Sequence, residues 1–174
     1  MGSNIDPERN LREAAQLLSQ EFPGITFSTV YKTAPQYHED QEIFLNAVAK
    51  AQTEKDPEGI LKVLRSIEES LGKSPPFRFG PRTIDLDLLL YGDKILPSLQ
   101  EWLTNQKLKT SNSKLVVPHE RMHERRFVLE PLCELLNTVG ARHALPLHPV
   151  LQESWDSLLS KTLDQSCDRM RLSL

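Results

Sequence analysis

The residues whose spacing speaks most directly of chemistry are Asp85 and Asp87, in the run Arg82-Thr83-Ile84-Asp85-Leu86-Asp87-Leu88-Leu89-Leu90. Alternate residues of a strand share a face, so the two carboxylates project together, roughly 7 Å apart, while Ile84, Leu86, Leu88 and Leu90 turn to the core. Two carboxylates on an otherwise apolar strand are costly unless something compensates them. A pair of hard cations, each retaining waters and taking phosphate oxygens, would do so. Neighbouring arginine or backbone groups would serve as well. The pattern is short, and spacing alone leaves both readings open.

A second cluster, Pro118-His119-Glu120-Arg121-Met122-His123-Glu124-Arg125-Arg126-Phe127, combines three arginines with two histidines. Guanidinium groups present forked donors that stay charged, which suits a polyphosphate. His119 and His123 are four apart, a spacing compatible with metal binding on a helix, but no acidic third ligand accompanies them. A solvated basic turn is the plainer reading of this stretch in isolation. Nucleic-acid binding is weaker still, since no stacking motif accompanies the basic residues. A third set is aromatic and amide. Phe44 and Asn46 share a strand face, Phe79 lies in a proline-rich loop, and Phe127 follows the basic turn. Phenyl rings stack flat heterocycles and an amide reads a donor–acceptor edge, although single phenylalanines belong more often to a core.

The elements that must position these residues are marked by their own signals. Asp6-Pro7-Glu8 and Asp56-Pro57-Glu58 are helix starts, with a capping carboxylate and a proline in the first turn. Leu11, Ala14, Ala15, Leu18 and Phe22 follow the first at helical spacing, and Ile60, Leu61, Leu64, Ile67 and Leu71 follow the second. Pro23-Gly24 and Gly72 stop them. Strands are expected over Ile25–Thr33, Phe44–Thr53 and, most strongly, Thr83–Tyr91. Residues 97–113 read as a surface insertion with helical character around Leu99–Leu103. A short helix around Phe127–Leu136 and an amphipathic one over Val150–Leu163 complete the pattern. Helices alternating with strand pairs, without repeats or low-complexity segments, predict one α+β sandwich domain over residues 1–174.

Composition limits the function classes. The chain has 174 residues, 21 Lys plus Arg against 24 Asp plus Glu, and a net charge of −3. That balance excludes holding nucleic acid by bulk positive charge. Hydrophobic residues at 39% and charged residues at 26% favour neither disorder nor a membrane protein. Cys133 and Cys167 make no disulfide framework or metal knuckle, which fits a reducing compartment. No apolar run is long enough to span a bilayer, no secretory signal is visible, and Asp6 stands where a myristoylation site needs Ser or Thr. A cytoplasmic protein is expected.

Together and in order, several motifs resemble the 6-hydroxymethyl-7,8-dihydropterin pyrophosphokinase family of folate biosynthesis. They are Gly2-Ser3-Asn4, Val30-Tyr31-Lys32-Thr33-Ala34-Pro35, Phe44-Leu45-Asn46-Ala47, Phe79-Gly80-Pro81-Arg82-Thr83-Ile84-Asp85-Leu86-Asp87, Val117-Pro118-His119 with Arg125 and Phe127, and Leu147-His148-Pro149-Val150. The resemblance implies a ferredoxin-like α+β fold and transfer of the terminal pyrophosphoryl group of ATP to the pterin's hydroxymethyl oxygen, releasing AMP. It implies two Mg²⁺ ions held by Asp85 and Asp87, and phosphate contacts from Arg82, His119 and Arg125. Arg65, Glu68 and Lys114 fall at nucleotide-site positions. Thr33, Pro35, Phe44, Asn46, Phe79 and Phe127 fall in the pterin pocket, Phe79 standing where tryptophan is common. The partners implied are the two small-molecule substrates; other folate-pathway enzymes are not indicated. No side chain stands out as a general base.

Three features depart from the family pattern. Met1 directly precedes Gly2, so the strand that normally leads into Gly-Ser-Asn is expected to be missing, and a start assigned too late accounts for this better than a functional truncation. The loop after Gly72 reads Lys73-Ser74-Pro75-Pro76-Phe77, where the family often carries arginines that close over ATP. Residues 97–113 lengthen the connection to Val117. These departures sustain an alternative, a catalytically weak or inactive ligand-binding relative.

Overall fold

The computed structural model describes residues 1–36, 40–72, 80–108, 115–137 and 155–174. Helix α1 (Pro7–Glu21) buries Leu11, Ala14, Ala15 and Leu18, the apolar stripe expected from the sequence. Its start differs from expectation. Asp6 adopts φ 39° and ψ 52° and makes no side-chain cap; its carbonyl instead takes the N–H of Asn10 at 3.0 Å. Helix α2 (Pro57–Ser70) is capped as expected, the Asp56 carboxylate accepting the Gly59 N–H at 2.7 Å.

Strands β1 (Gly2–Ser3), β3 (Val30–Thr33), β4 (Phe44–Asn46) and β6 (Asp168–Met170) form an antiparallel sheet in the order β1-β4-β3-β6. Strands β2 (Thr26–Phe27) and β5 (Ala49–Lys50) pair antiparallel in a second, two-stranded sheet. The two long strands expected from the sequence are thus each divided. The Ser28 hydroxyl accepts the Val48 N–H at 3.0 Å, and the Thr29 N–H goes to Glu134 at 2.9 Å. Side chains take ladder donors at that point, and the sheet is interrupted there. β6 had no clear sequence signal.

The expectation for Thr83–Tyr91 needs correction. Only Asp85 in this segment pairs as a strand residue, in an antiparallel bridge to Gly2. The next N–H, of Leu86, is taken at 2.7 Å by the buried Glu68 carboxylate of α2. The Leu86 N–H faces the edge opposite to the one Asp85 pairs through, and there a side chain of α2 rather than another strand takes it. The Gly2-Ser3-Asn4 motif itself supplies a strand. β1 exists, two residues long, between β4 on one side and Asp85 on the other.

Two apolar clusters support this framework. One packs Leu11, Leu18, Val30, Leu45, Leu64 and Ile84 between α1, α2 and the sheet. The other gathers Val48, Met122, Leu129, Leu132 and Leu158 around helices α4 (Arg126–Asn137) and α5 (Trp155–Ser160). Helix α3 (Leu99–Leu108) occupies the expected insertion and is anchored by Trp102, whose indole N–H donates to the Pro118 carbonyl at 2.8 Å. The helix expected over Val150–Leu163 ends at Ser160, and positions 150–154 lie outside the described residues.

Candidate active site

The first four residues build the floor of the site by clamping the Arg82–Asp85 segment. Gly2 and Asp85 exchange both backbone hydrogen bonds, at 2.9 and 2.8 Å. The Ser3 hydroxyl donates to the Thr83 carbonyl at 2.6 Å. The Asn4 carboxamide oxygen accepts the Arg82 N–H at 2.7 Å, and the Asn4 N–H donates to the Arg82 carbonyl at 3.1 Å. Ser3 and Asn4 are buried, where each such bond matters because the alternative is an unsatisfied group. Sequence reasoning used this tripeptide only as a family marker. Its function as a clamp could not be read without knowing what lay opposite.

A cavity of about 340 Å³ opens above this floor. It brings together Arg82, Asp85, Asp87, His119 and Arg125 with Thr33, Pro35, Phe44, Asn46 and Phe127, ten of the residues expected at the site from widely separated positions. Arg121 of the basic cluster also lines it, as do Gln41 and Glu120, which were not foreseen as site residues. Arg65 is exposed and Glu68 buried, and neither lines the cavity. Glu68 acts on it from behind, through Leu86. Phe79, Lys114 and the Leu147–Val150 motif lie outside the described residues.

The acidic pair answers the question left open by its spacing in two ways. Asp85 is compensated by protein, its carboxylate forming an ion pair with the Arg82 guanidinium. Asp87 is different. Its side chain is 45% exposed in the cavity, and the closest cation partner shown is the His119 Nε2 at 4.0 Å. The His119 Nδ1 accepts the Arg121 N–H at 3.3 Å, which places its proton on Nε2, toward Asp87. Burial lowers the His119 pKa; Asp87 works to raise it, and Arg125 lowers it further. A neutral ring follows, with its Nε2–H facing the carboxylate at 4.0 Å, beyond hydrogen-bond distance.

Arg125 sits over the Phe127 ring, 5.6 Å from its centroid. Its Nε is buried and has no hydrogen-bond partner among the described residues. A fixed guanidinium with an idle donor, lining a cavity beside Arg82, is suited to an anion. On the amide side, Asn46 is buried and its Nδ2 donates to the Thr33 hydroxyl at 2.9 Å. Gly2 touches the same amide: a Cβ there would lie 2.6 Å from Asn46 Oδ1. The absence of a side chain at position 2 is a steric requirement, separate from backbone freedom.

The donor set fits Mg²⁺ better than a transition metal. Among the described residues there is no group of three or more His, Cys, Asp or Glu side chains that could enclose an ion. Magnesium commonly uses one or two carboxylates and completes its shell with water and phosphate oxygens, which Asp85 and Asp87 at an open cavity would allow.

Comparisons with known proteins show the family of this chain. The sequence profile of the family described as 7,8-dihydro-6-hydroxymethylpterin-pyrophosphokinase (HPPK) matches residues 1–137. The 2-amino-4-hydroxy-6-hydroxymethyldihydropteridine pyrophosphokinase of Bacillus subtilis is 39% identical over 143 residues, covering 80% of this chain and 77% of the relative. The enzyme of that name from Haemophilus influenzae is 38% identical over 138 residues, covering 78% of each. The mitochondrial folate synthesis bifunctional protein of Arabidopsis thaliana is 38% identical over 172 residues, 94% of this chain but 28% of the relative. This chain therefore spans under a third of that plant protein's length. An α+β chain with this clamp and this cleft is a member of the HPPK family.

Proposed function

We propose that the chain transfers a pyrophosphoryl group from ATP to the hydroxymethyl oxygen of 6-hydroxymethyl-7,8-dihydropterin, giving AMP and the pterin pyrophosphate as a step of folate synthesis. The observation that carries this reading is one cavity lined both by Asp85, Asp87, Arg82, His119 and Arg125 and by Phe44, Asn46, Thr33, Pro35 and Phe127. The first set suits a polyphosphate and the second a flat, amide-read heterocycle.

Attack on the β-phosphorus brings an alcohol oxygen toward a strongly anionic group. The positioned guanidinium groups of Arg82 and Arg125 offset that charge and hold the phosphates in line. The neutral His119 donates from Nε2, with Asp87 as its neighbour. Asp85 and Asp87 would hold Mg²⁺, with two ions expected; bound there, the metal supplies charge neutralisation and acidifies the attacking alcohol. Asn46, oriented by Thr33, reads the edge of the pterin, and Phe44 and Phe127 pack its faces. Phe79 and Lys114 belong to the same reading as pterin and nucleotide contacts.

Arg82, Asp85, Asp87, His119 and Arg125 gathered in one cleft speak against the inactive alternative. In this reading the chain acts as one domain on small molecules, without nucleic acid or membrane, and in the cytoplasm. Among the described residues no helix is long and apolar enough to cross a membrane. The test is product analysis with ATP, the hydroxymethyl pterin and Mg²⁺. AMP and pterin pyrophosphate are expected; ADP in place of AMP would exclude pyrophosphoryl transfer.

A further inference from the structure

Arg125 follows a short 3-10 turn over Met122–Glu124 and stands immediately before α4. Its backbone is extended, with φ −122° and ψ 109°. Its own N–H returns to the Met122 carbonyl at 3.4 Å, and its carbonyl accepts the Val128 and Leu129 N–H groups at 3.0 Å each. In extended backbone the two flanking groups, the Glu124 carbonyl and the Arg126 N–H, face the opposite side. The Arg126 N–H is also one of the donors that a helix start leaves without a partner inside the helix. One side chain, 41 residues beyond Glu124, takes both groups. The Gln165 Nε2 donates to the Glu124 carbonyl at 2.9 Å, and its Oε1 accepts the Arg126 N–H at 2.9 Å. The carboxamide gives Arg125 the pairing that a neighbouring strand would give.

Gln165 is itself held in place. Its backbone N–H donates to the carbonyl of the buried Thr162 at 3.1 Å. The stretch lies between α5, whose Leu158 joins the apolar cluster around α4, and β6, which pairs with β3. The Gln165 Oε1 also accepts the Gln36 Nε2 at 3.0 Å, and the Ser166 hydroxyl accepts the Ala34 N–H at 3.2 Å. Two N–H donors at one end of the carboxamide and a carbonyl at the other assign which end is oxygen. Gln36 lines the active-site cavity together with Thr33 and Pro35. A single carboxamide thus joins the wall carrying those residues to the turn carrying Arg125.

We propose that Gln165 is a positioning residue for Arg125, its carboxamide fixing the backbone from which that guanidinium reaches the cavity. Gln165 does not line the cavity, so it acts only through the residue it holds. Arg125 has few other restraints. Its Nε has no partner among the described residues, and its ring contact is with Phe127, 5.6 Å from guanidinium carbon to centroid. A side chain aimed by its backbone loses that aim when φ and ψ are released. Displacing a positioning group by about 1 Å can cost about a hundredfold in rate, so a brace of this kind matters for phosphoryl chemistry. The inference rests on the reading of Arg125 as a phosphate contact and deepens it by naming what holds the contact in place.

The test uses the full chain with three substitutions. Gln165→Leu retains the bulk and removes the carboxamide, Ser166→Ala breaks only the neighbouring bond to Ala34, and Arg125→Met removes the guanidinium. The Arg125 Nε–H resonance is first followed by NMR without ligand, where the Phe127 ring current displaces it. Gln165→Leu is expected to move it toward the position of an unrestrained arginine and to speed its exchange with water about tenfold, while Ser166→Ala does neither. Binding of ATP with Mg²⁺ is then measured by calorimetry. Gln165→Leu is expected to raise Kd about tenfold, and to change nothing further in the Arg125→Met background. An unchanged resonance in Gln165→Leu would overturn the proposal, as would equal loosening in Ser166→Ala. The same fold loss of affinity with and without Arg125 would also overturn it, because Gln165 would then act by another route. An ATP Kd unaffected by Arg125→Met would remove the phosphate reading of Arg125 and the proposal with it. A chain that binds no ATP at all would sink the proposed reaction instead, and the resonance would then decide alone whether Gln165 positions Arg125.

Discussion

The buried carboxylate of Glu68 accepts the backbone N–H of Leu86 at 2.7 Å, and Leu86 is the residue between Asp85 and Asp87. A side chain of α2 thereby sets the segment that carries both site carboxylates, although it does not itself line the cavity. Glu68→Ala leaves a buried N–H without that acceptor and is expected to cost about 1–3 kcal/mol in urea unfolding, with turnover lowered as well. Glu68→Gln retains an acceptor oxygen and should keep most of the stability. Equal losses in the two variants would show that charge, not the hydrogen bond, is the contribution that matters.

Asp87 projects into the cavity and is nearly half exposed, so its removal should spare the fold. Asp87→Ala is expected to abolish turnover at ordinary Mg²⁺ while shifting the melting temperature little. Asp85→Ala differs, because it releases Arg82 from its ion pair and should cost both activity and stability. Wild-type turnover in Asp87→Ala would remove this carboxylate from the chemistry.

Gly2→Ala places a methyl group 2.6 Å from Asn46 Oδ1. Backbone holds Gly2 on both sides, through Asn46 and Asp85, so the Asn46 amide must give way. The expected result is a loss of about 1–3 kcal/mol in stability. Because Asn46 is turned away from Thr33, KM for the pterin should rise more than KM for ATP.

Away from the cleft, Glu134 of α4 ties the sheet together by accepting from Thr29 N–H at 2.9 Å, Thr29 Oγ1 at 2.7 Å and Tyr31 OH at 3.0 Å. Burial works to raise its pKa, but the hydrogen bonds from Thr29 and Tyr31 and the nearby Arg169 hold it below the ordinary 4.5. A carboxylate with a depressed native pKa contributes stability above its unfolded value and loses it as pH falls through the native one. Acid unfolding of the wild type should therefore include an increment below pH 4.5 that Glu134→Gln lacks. The Tyr31 hydroxyl, pushed up to about 12 chiefly by burial, should show phenolate absorbance only in strong alkali.

What could be read in the sequence was local. The Arg82–Asp87 run, the Phe44/Asn46 alternation and the basic turn carry their spacing within a few residues, and all three reach one cavity. The contributions of Ser3, Asn4 and Glu68 were not legible as such, because each depends on a partner far along the chain. The same reason explains the overextended strand at Thr83–Tyr91. Its β-rich composition was genuine, but of its residues only Asp85 finds a strand partner, Gly2, while α2 takes the Leu86 N–H on the other edge. β6 was missed because Asp168-Arg169-Met170 lacks an apolar alternation; its place is fixed by pairing with β3.

The clamp between the N-terminus and Arg82 also has a consequence in time. The Asn4–Arg82 hydrogen bond joins residues 78 apart, and the Ser3–Thr83 bond residues 80 apart. During synthesis the first four residues emerge well before their partners exist. α1 can form from its own short-range contacts, but the cleft must wait for loop closure across almost half the chain. Catalytic competence is consequently expected to be among the last properties acquired as the protein folds, and among the first lost when its N-terminus detaches.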